Sequence, residues 1–143
     1  MNTNEELLKQ CEEIKKENIV FRLLTENSID ILFLLDTEAN FIYLSNSFEK
    51  ETEYFKEEMI GKNIKNILTT ESYGKAISRL KKWKNNEISL PTYEIQIITK
   101  KNTVQDYEVT TFPIFESGKL KFISGIARNI SYKKLIEKKI IES

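Results

Sequence analysis

The side chains able to do chemistry in this sequence are few and scattered. Histidine is absent from all 143 residues. That removes imidazole general bases, imidazole metal ligands, His-ligated haem and a phosphoacceptor histidine. The one cysteine, Cys11, cannot form an internal disulfide or a multi-thiolate metal site. Tyr43, Tyr93 and Tyr107 carry hydroxyls that can hydrogen-bond a polar ligand; each can equally face solvent or pack under a terminal helix. Glu94 and Arg128 have the charges to pair across neighbouring strands, a surface contact worth under about 1 kcal/mol. No hydroxyl or thiol has a base beside it, so the chain reads as a non-enzyme.

The quietest stretch is the most carefully patterned. In "YLSNSFEKETEYFKEEMIGKNI", Phe48, Thr52, Phe55 and Met59 are separated by four, three and four residues. That spacing suits one side of a helical segment, yet it brings no catalytic group into place.

The surrounding elements follow from periodicity and turn signals. Residues 5–24 read as an amphipathic helix, with Leu7, Cys11, Ile14, Asn18 and Phe21 in a heptad stripe. The stripe is narrow and includes an Asn, which fits a homodimer seam in which Asn18 meets its own copy; packing on its own domain is the alternative. The segments "DILFLLD" and "FIYLS", joined by "DTEAN", predict a β-hairpin. Short helices follow to Leu68, broken after Ile60 by Gly61.

A longer helix spans 70–86, with Thr70 as its N-cap. Tyr73, Ala76, Ile77, Leu80 and Trp83 form its apolar face, and Lys75, Arg79 and Lys82 a solvated basic one. Three strands are predicted at Thr92–Thr99, Val104–Phe115 and Lys119–Arg128, joined by "KKN" and "ESG". A final helix from Ser131 carries Leu135, Ile136, Ile140 and Ile141 on a stripe. The order predicts an α+β domain: one five-stranded antiparallel sheet with short helices on one face, flanked by N- and C-terminal helices. Its parts are 1–24, a dimerisation helix; 25–130, the domain; and 131–143, the start of a second helix.

Composition narrows the partners. Lys plus Arg and Asp plus Glu both number 22, which argues against a general nucleic-acid or anionic-membrane binder. No apolar run approaches the roughly 20 residues that span a bilayer, and the first residues do not read as a signal peptide. A cytoplasmic, reducing location is the expectation.

The ordered set of motifs resembles the PAS family of sensor domains, over about Leu23 to Lys134. The family's second strand and following helices read Ile-x-Tyr-x-Asn, a Phe, Thr-Gly-Tyr and Glu-Glu-Leu-Ile-Gly-Lys. Here these are Ile42, Tyr43, Ser45, Phe48, Thr52, Glu53, Tyr54, Glu57, Glu58, Met59, Ile60, Gly61 and Lys62. "GIARNIS" (Gly125 to Ser131) resembles the Gly-x-x-Arg-Asp-Ile-Thr at the exit into the signalling helix. Asn129 stands in place of the usual Asp and Ser131 in place of Thr. Ala39 stands where the turn has Gly, which is expected to move the positive φ to Asn40.

The resemblance implies a sensory module. A small molecule or partner biases the sheet, with Tyr43, Phe48, Thr52, Phe55, Met59, Tyr93 and Tyr107 as candidate ligand contacts. Arg128, Asn129 and Ser131 would transmit the signal, Asn129 or Ser131 by capping the exit helix. Dimeric flanking helices would pass it to a covalently linked or partner output domain of the histidine kinase or diguanylate cyclase type, and no kinase or cyclase motif occurs in this chain. The cysteine of flavin-adduct relatives has no counterpart in "NIKNIL", so that chemistry is excluded along with His-ligated haem. Non-covalent FAD stays open. Trp83 is the aromatic that would bear on it, although a core or interface Trp is the simpler reading. A ligand-free dimerisation module is the other alternative.

Overall fold

In a computed structural model, residues 4–6, 8–9 and 29–142 are described. Residues 4–6 and 8–9 are helical. The expected seam residues Leu7, Cys11, Ile14, Asn18 and Phe21 lie outside the described residues.

The predicted hairpin is β1 (Ile31–Leu35) and β2 (Phe41–Leu44). Its turn is organised by Asp36, whose Oδ1 accepts from the N–H groups of Glu38 and Asn40 at 2.8 and 2.9 Å. The positive φ falls on Ala39, at 65°, and not on the expected Asn40. Asn40 is already committed as the first paired residue: its amide donates to Asp36 and its Oδ1 accepts from Asn63. Ala39 bears a left-handed cost of roughly 1–2 kcal/mol, offset in part by a methyl buried in the core.

The helical region holds α1 (Ser47–Thr52), α2 (Lys56–Met59), a 3₁₀ turn at Ile64–Asn66 and α3 (Thr70–Lys84). Then come β3 (Thr92–Ile98), β4 (Val104–Glu116), β5 (Lys119–Asn129) and α4 (Ser131–Glu142). The five antiparallel strands lie in the order β2-β1-β5-β4-β3. The last strand therefore sits at the centre.

One cross-sheet row aligns Ile31, Ala127, Val109 and Tyr93, and the next aligns Phe33, Gly125 and Thr111. These rows face the helices. The alternate positions face outward and include the exposed Phe112, Ile114 and Ile126.

The connection from β2 to β3 is hydrogen-bonded to both edges of the sheet. At the β2 edge, Gly61 N–H donates to Phe41 O at 2.7 Å and Phe41 N–H to Lys62 O at 2.9 Å. Gly61 makes this approach at a φ of 86°, where a side chain would be strained. At the β3 edge, Ile98 N–H donates to Ile67 O at 2.7 Å and Gln96 N–H to Ser72 Oγ at 2.7 Å. At these points both strand edges are closed to a foreign strand.

The helix cap is Thr69, one residue before the expected Thr70. Its hydroxyl accepts from Ser72 N–H, and Ser72 Oγ accepts in turn from Thr69 and from β3. Among the described residues no helix is long and apolar enough to cross a membrane.

Ser72 thus ties the start of α3 to the sheet edge. Ser72→Ala leaves the Gln96 N–H unmatched, so a loss of about 1–3 kcal/mol is expected in urea or thermal melts. Ser78→Ala, on the exposed side of the same helix, should stay within about 0.5 kcal/mol of the parent. Equal melting of the two variants would show that the edge contact contributes nothing.

Candidate functional site

Between the sheet and the helices lies an apolar cavity of about 60 Å³. The sheet supplies Ile31, Phe33, Tyr93, Val109, Thr111 and Ala127 to its wall; Phe48, Ile64, Leu68, Leu80 and Trp83 close it from the helical side. Among the described residues, the lining contains no charged side chain, and its only hydroxyls are those of Tyr93 and Thr111. Thr111 Oγ1 donates to Pro91 O at 3.4 Å.

Phe33 forms part of the floor because its strand neighbour is a glycine. A Cβ at Gly125 would come within 3 Å of three atoms at the edge of the Phe33 ring. The ring occupies the space that any other residue would fill.

The predicted ligand contacts separate into groups. Phe48 and Tyr93 line the cavity. Arg79 lays its guanidinium over Tyr93, 3.7 Å from the ring centroid. Burial raises the Tyr93 phenol above its ordinary range, with the Arg79 charge pulling the other way. Trp83 is a core residue and also lines the cavity. Thr52 and Met59 are buried but outside the lining. The Thr52 hydroxyl donates to Phe48 O at 2.7 Å, holding the end of α1 together.

Phe55 corrects the expectation of one continuous inward face, being 59% exposed. The spacing rule presumes an unbroken helix, but the chain turns through Glu53 at a φ of 68° and restarts at Lys56. Phe55 falls on that break, with Lys100 Nζ 5.6 Å from its ring centroid. Tyr43 pairs with Leu34 on the outward rows and does not line the cavity.

Tyr107 is fully buried and does not line the cavity, although its cross-strand partner Ile95 does. Its hydroxyl donates to Glu51 Oε2 at 2.7 Å, and Asn129 Nδ2 donates to the same oxygen at 2.9 Å. Burial, then the hydrogen bond to the Glu51 carboxylate, raises the Tyr107 phenol far above its usual range. Asn129 Oδ1 accepts from Ser131 N–H at 2.9 Å, as expected of a residue capping the exit helix.

Ser131 does something other than the expected cap. Its Oγ accepts from Asp106 N–H at 2.8 Å, while Ile130 N–H donates to Asp106 O at 2.9 Å. The first turn of α4 is therefore stitched to β4. Lys134 reinforces the stitch through Glu94 at 2.7 Å and Asp106 at 3.6 Å.

The suggested Glu94–Arg128 pair does not form. Glu108 of β4 stands between them in the register, so Glu94 meets Lys134, and Arg128 meets Asp30 at 3.3 Å.

Nothing local in the sequence marks Glu51 as part of a site. It sits in a run of charged residues that reads as a solvated face. Only the Asn at position 129, a donor where an acid is usual, hints that a carboxylate must come from elsewhere. Phe33 and Gly125 are likewise invisible as a pair until the register is known.

Residues 29–131 match the family model described as a PAS domain. A 64-residue segment is 36% identical to the "Blue light receptor lreA" of Aspergillus flavus; it is 45% of this chain and 8% of that receptor. Among solved structures, the PAS domain of an HTR-like protein from Haloarcula marismortui superposes with a TM-score of 0.70 at 18% identity, covering 85% of this chain and 98% of that one. A PAS domain from a two-component sensor histidine kinase gives 0.64 at 16% identity, covering 80% and 97%. An RNA-binding Light-Oxygen-Voltage receptor gives 0.72 at 13% identity, covering 88% of this chain and 36% of that one. At these identities the structural likeness speaks for the fold alone.

Glu51 and Asn129 can be tested as a donor–acceptor pair. Asn129→Asp sets two carboxylates against each other and removes the amide donor, at an expected cost of about 1–3 kcal/mol. Adding Glu51→Gln should recover most of this. The new amide can donate to the carboxylate introduced at position 129, while its carbonyl still accepts from the Tyr107 hydroxyl. Melting curves and amide exchange at Ser131–Lys134 report the result. A double mutant no better than the single one would sink the pairing.

Proposed function

The chain belongs to the PAS domain family, and on that premise we propose that it is a sensory input module whose cavity occupancy is read out at the start of α4. The observation that supports this most directly is the hydrogen-bond path from cavity wall to exit helix. Phe48 lines the cavity on α1, and Glu51 lies one turn further along the same helix. Glu51 then holds Tyr107 and Asn129, and Asn129 holds the first amide of α4.

A displacement of Phe48 moves Glu51 with it. Hydrogen bonds to a charged group are worth about 1.5–3 kcal/mol. Losing one is enough to change a two-state population by roughly tenfold or more. The path therefore has the energy to act as a relay.

The sensor reading extends to a homodimer joined through the heptad stripe of residues 5–24, passing a rotation or register shift to an output domain of histidine kinase or diguanylate cyclase type. The chain itself carries no catalytic role in this reading, and its place is the cytoplasm. The small cavity favours one alternative, a ligand-free module that only sets dimer geometry. It weighs against FAD, since pockets for ligands of that class run to roughly 300–1,000 Å³.

Two measurements test the reading. A compound that raises the melting temperature should also slow or speed amide exchange at Ser131–Ile136. Glu51→Ala should keep the thermal shift and lose the exchange response. An unchanged response in that variant would remove the relay. Light scattering should find a dimer that Ile14→Lys converts to monomer, since two ammonium groups would face each other across the seam. A monomeric parent chain would exclude the dimeric form.

A further inference from the structure

Three features of the cavity bear on what it can hold. Its volume, about 60 Å³, is well below the roughly 150 Å³ of an engineered apolar cavity that takes up benzene or xenon. Its lining has no charged group among the described residues, so an ionised ligand would be stripped of water with nothing in exchange. Its floor is set by the Phe33 ring lying over Gly125, a contact that one added carbon would overturn.

We propose that the cavity takes a neutral, apolar molecule smaller than benzene, such as a dissolved diatomic gas or a hydrocarbon of a few carbons, and that the Phe33–Gly125 pair sets its size limit. This deepens the sensory reading and rests on it for biological meaning, but the binding itself stands apart.

The size limit has a direct structural cause. Phe33, Gly125 and Thr111 share one row of the sheet, on the face turned toward the helices. A side chain at position 125 would push the ring off the sheet, and the room on that side is the cavity. Truncating Phe33 acts in the opposite sense and adds a ring's volume to the space. One pair of adjacent residues can therefore close or open the site. The two hydroxyls, of Tyr93 and Thr111, do not alter the ligand class. Thr111 donates to Pro91, and a lone Tyr hydroxyl gives too few partners to hold a water in an apolar space.

The test uses the full chain with xenon and benzene as probes, followed by methyl NMR shifts at Ile31, Leu44 and Ile123 and by xenon-129 line positions. The parent protein should show saturable xenon shifts at these methyls and little or no response to benzene. Phe33→Ala should gain benzene affinity by about tenfold or more. Gly125→Ala should lose the xenon response while keeping a cooperative melt. Phe33→Leu serves as a milder enlargement should the alanine variant melt too low to titrate.

Benzene binding to the parent as tightly as to Phe33→Ala would overturn the size limit and leave the sensory reading intact. Absence of any saturable xenon shift in the parent would overturn the ligand assignment. Saturable xenon binding with unchanged exchange at Ser131–Ile136 would uphold the cavity assignment and remove the relay.

Discussion

The structure depends on a single constraint: the chain between β2 and β3 must reach from one edge of the sheet to the other. Gly61 and Lys62 bond to β2 at one edge, while Ile67 and Ser72 bond to β3 at the opposite edge. A segment fixed at both ends has to cross the full face. The side chains it carries over, Ile64, Ile67 and Leu68, become the ceiling of the cavity. Because the span is set by backbone bonds and not by side-chain bulk, the ceiling cannot settle fully onto the floor. The cavity follows from that geometry, and its residual volume depends on which rings and methyls project into the gap.

The exit junction shows how one substitution redistributes charge. Where the family's usual residue at position 129 is acidic, this chain has an amide, and the carboxylate of the junction comes from Glu51 on α1. Asn129 keeps the acceptor half of the old role, toward Ser131 N–H, and gains a donor half, toward Glu51. The result joins a helix over the cavity to the helix leaving the sheet, with the buried Tyr107 hydroxyl completing the carboxylate's partners. Ser131, freed from capping, binds Asp106 and fixes the direction in which α4 departs.

Much of this is legible in the sequence, for reasons that are local. The alternation in "TYEIQIIT" and the turn residues around Asp36 and Gly118 announce strands and hairpins. The family's motif order then supplies the sheet. The site residues are harder to read, because they depend on what lies across the sheet. Helical spacing finds Phe48, since the rule holds within α1. The same rule misplaces Phe55, because the helix breaks at Glu53. Glu51 gains its role from partners 56 and 78 residues away. Phe33 and Gly125 gain theirs from each other, on strands that pair only in the folded sheet. Charge alone suggests Glu94 for Arg128, although a whole strand separates them.

Strand order has a further consequence, for the time course of synthesis. β1 emerges early, yet on one side it has no neighbour until Ala127 arrives to face Ile31. A nascent chain that ends between β4 and β5 holds two hairpins that no strand yet joins, β1–β2 and β3–β4, each with an apolar face and an open edge. Such pairings of distant segments carry high contact order and fold slowly, and their unpaired edges invite aggregation. β5 is the keystone that joins the halves, and α4 begins directly after it. The part of the chain that would carry a message outward is thus attached to the last strand laid down, and a misplaced β5 would silence the helix and dismantle the sheet together.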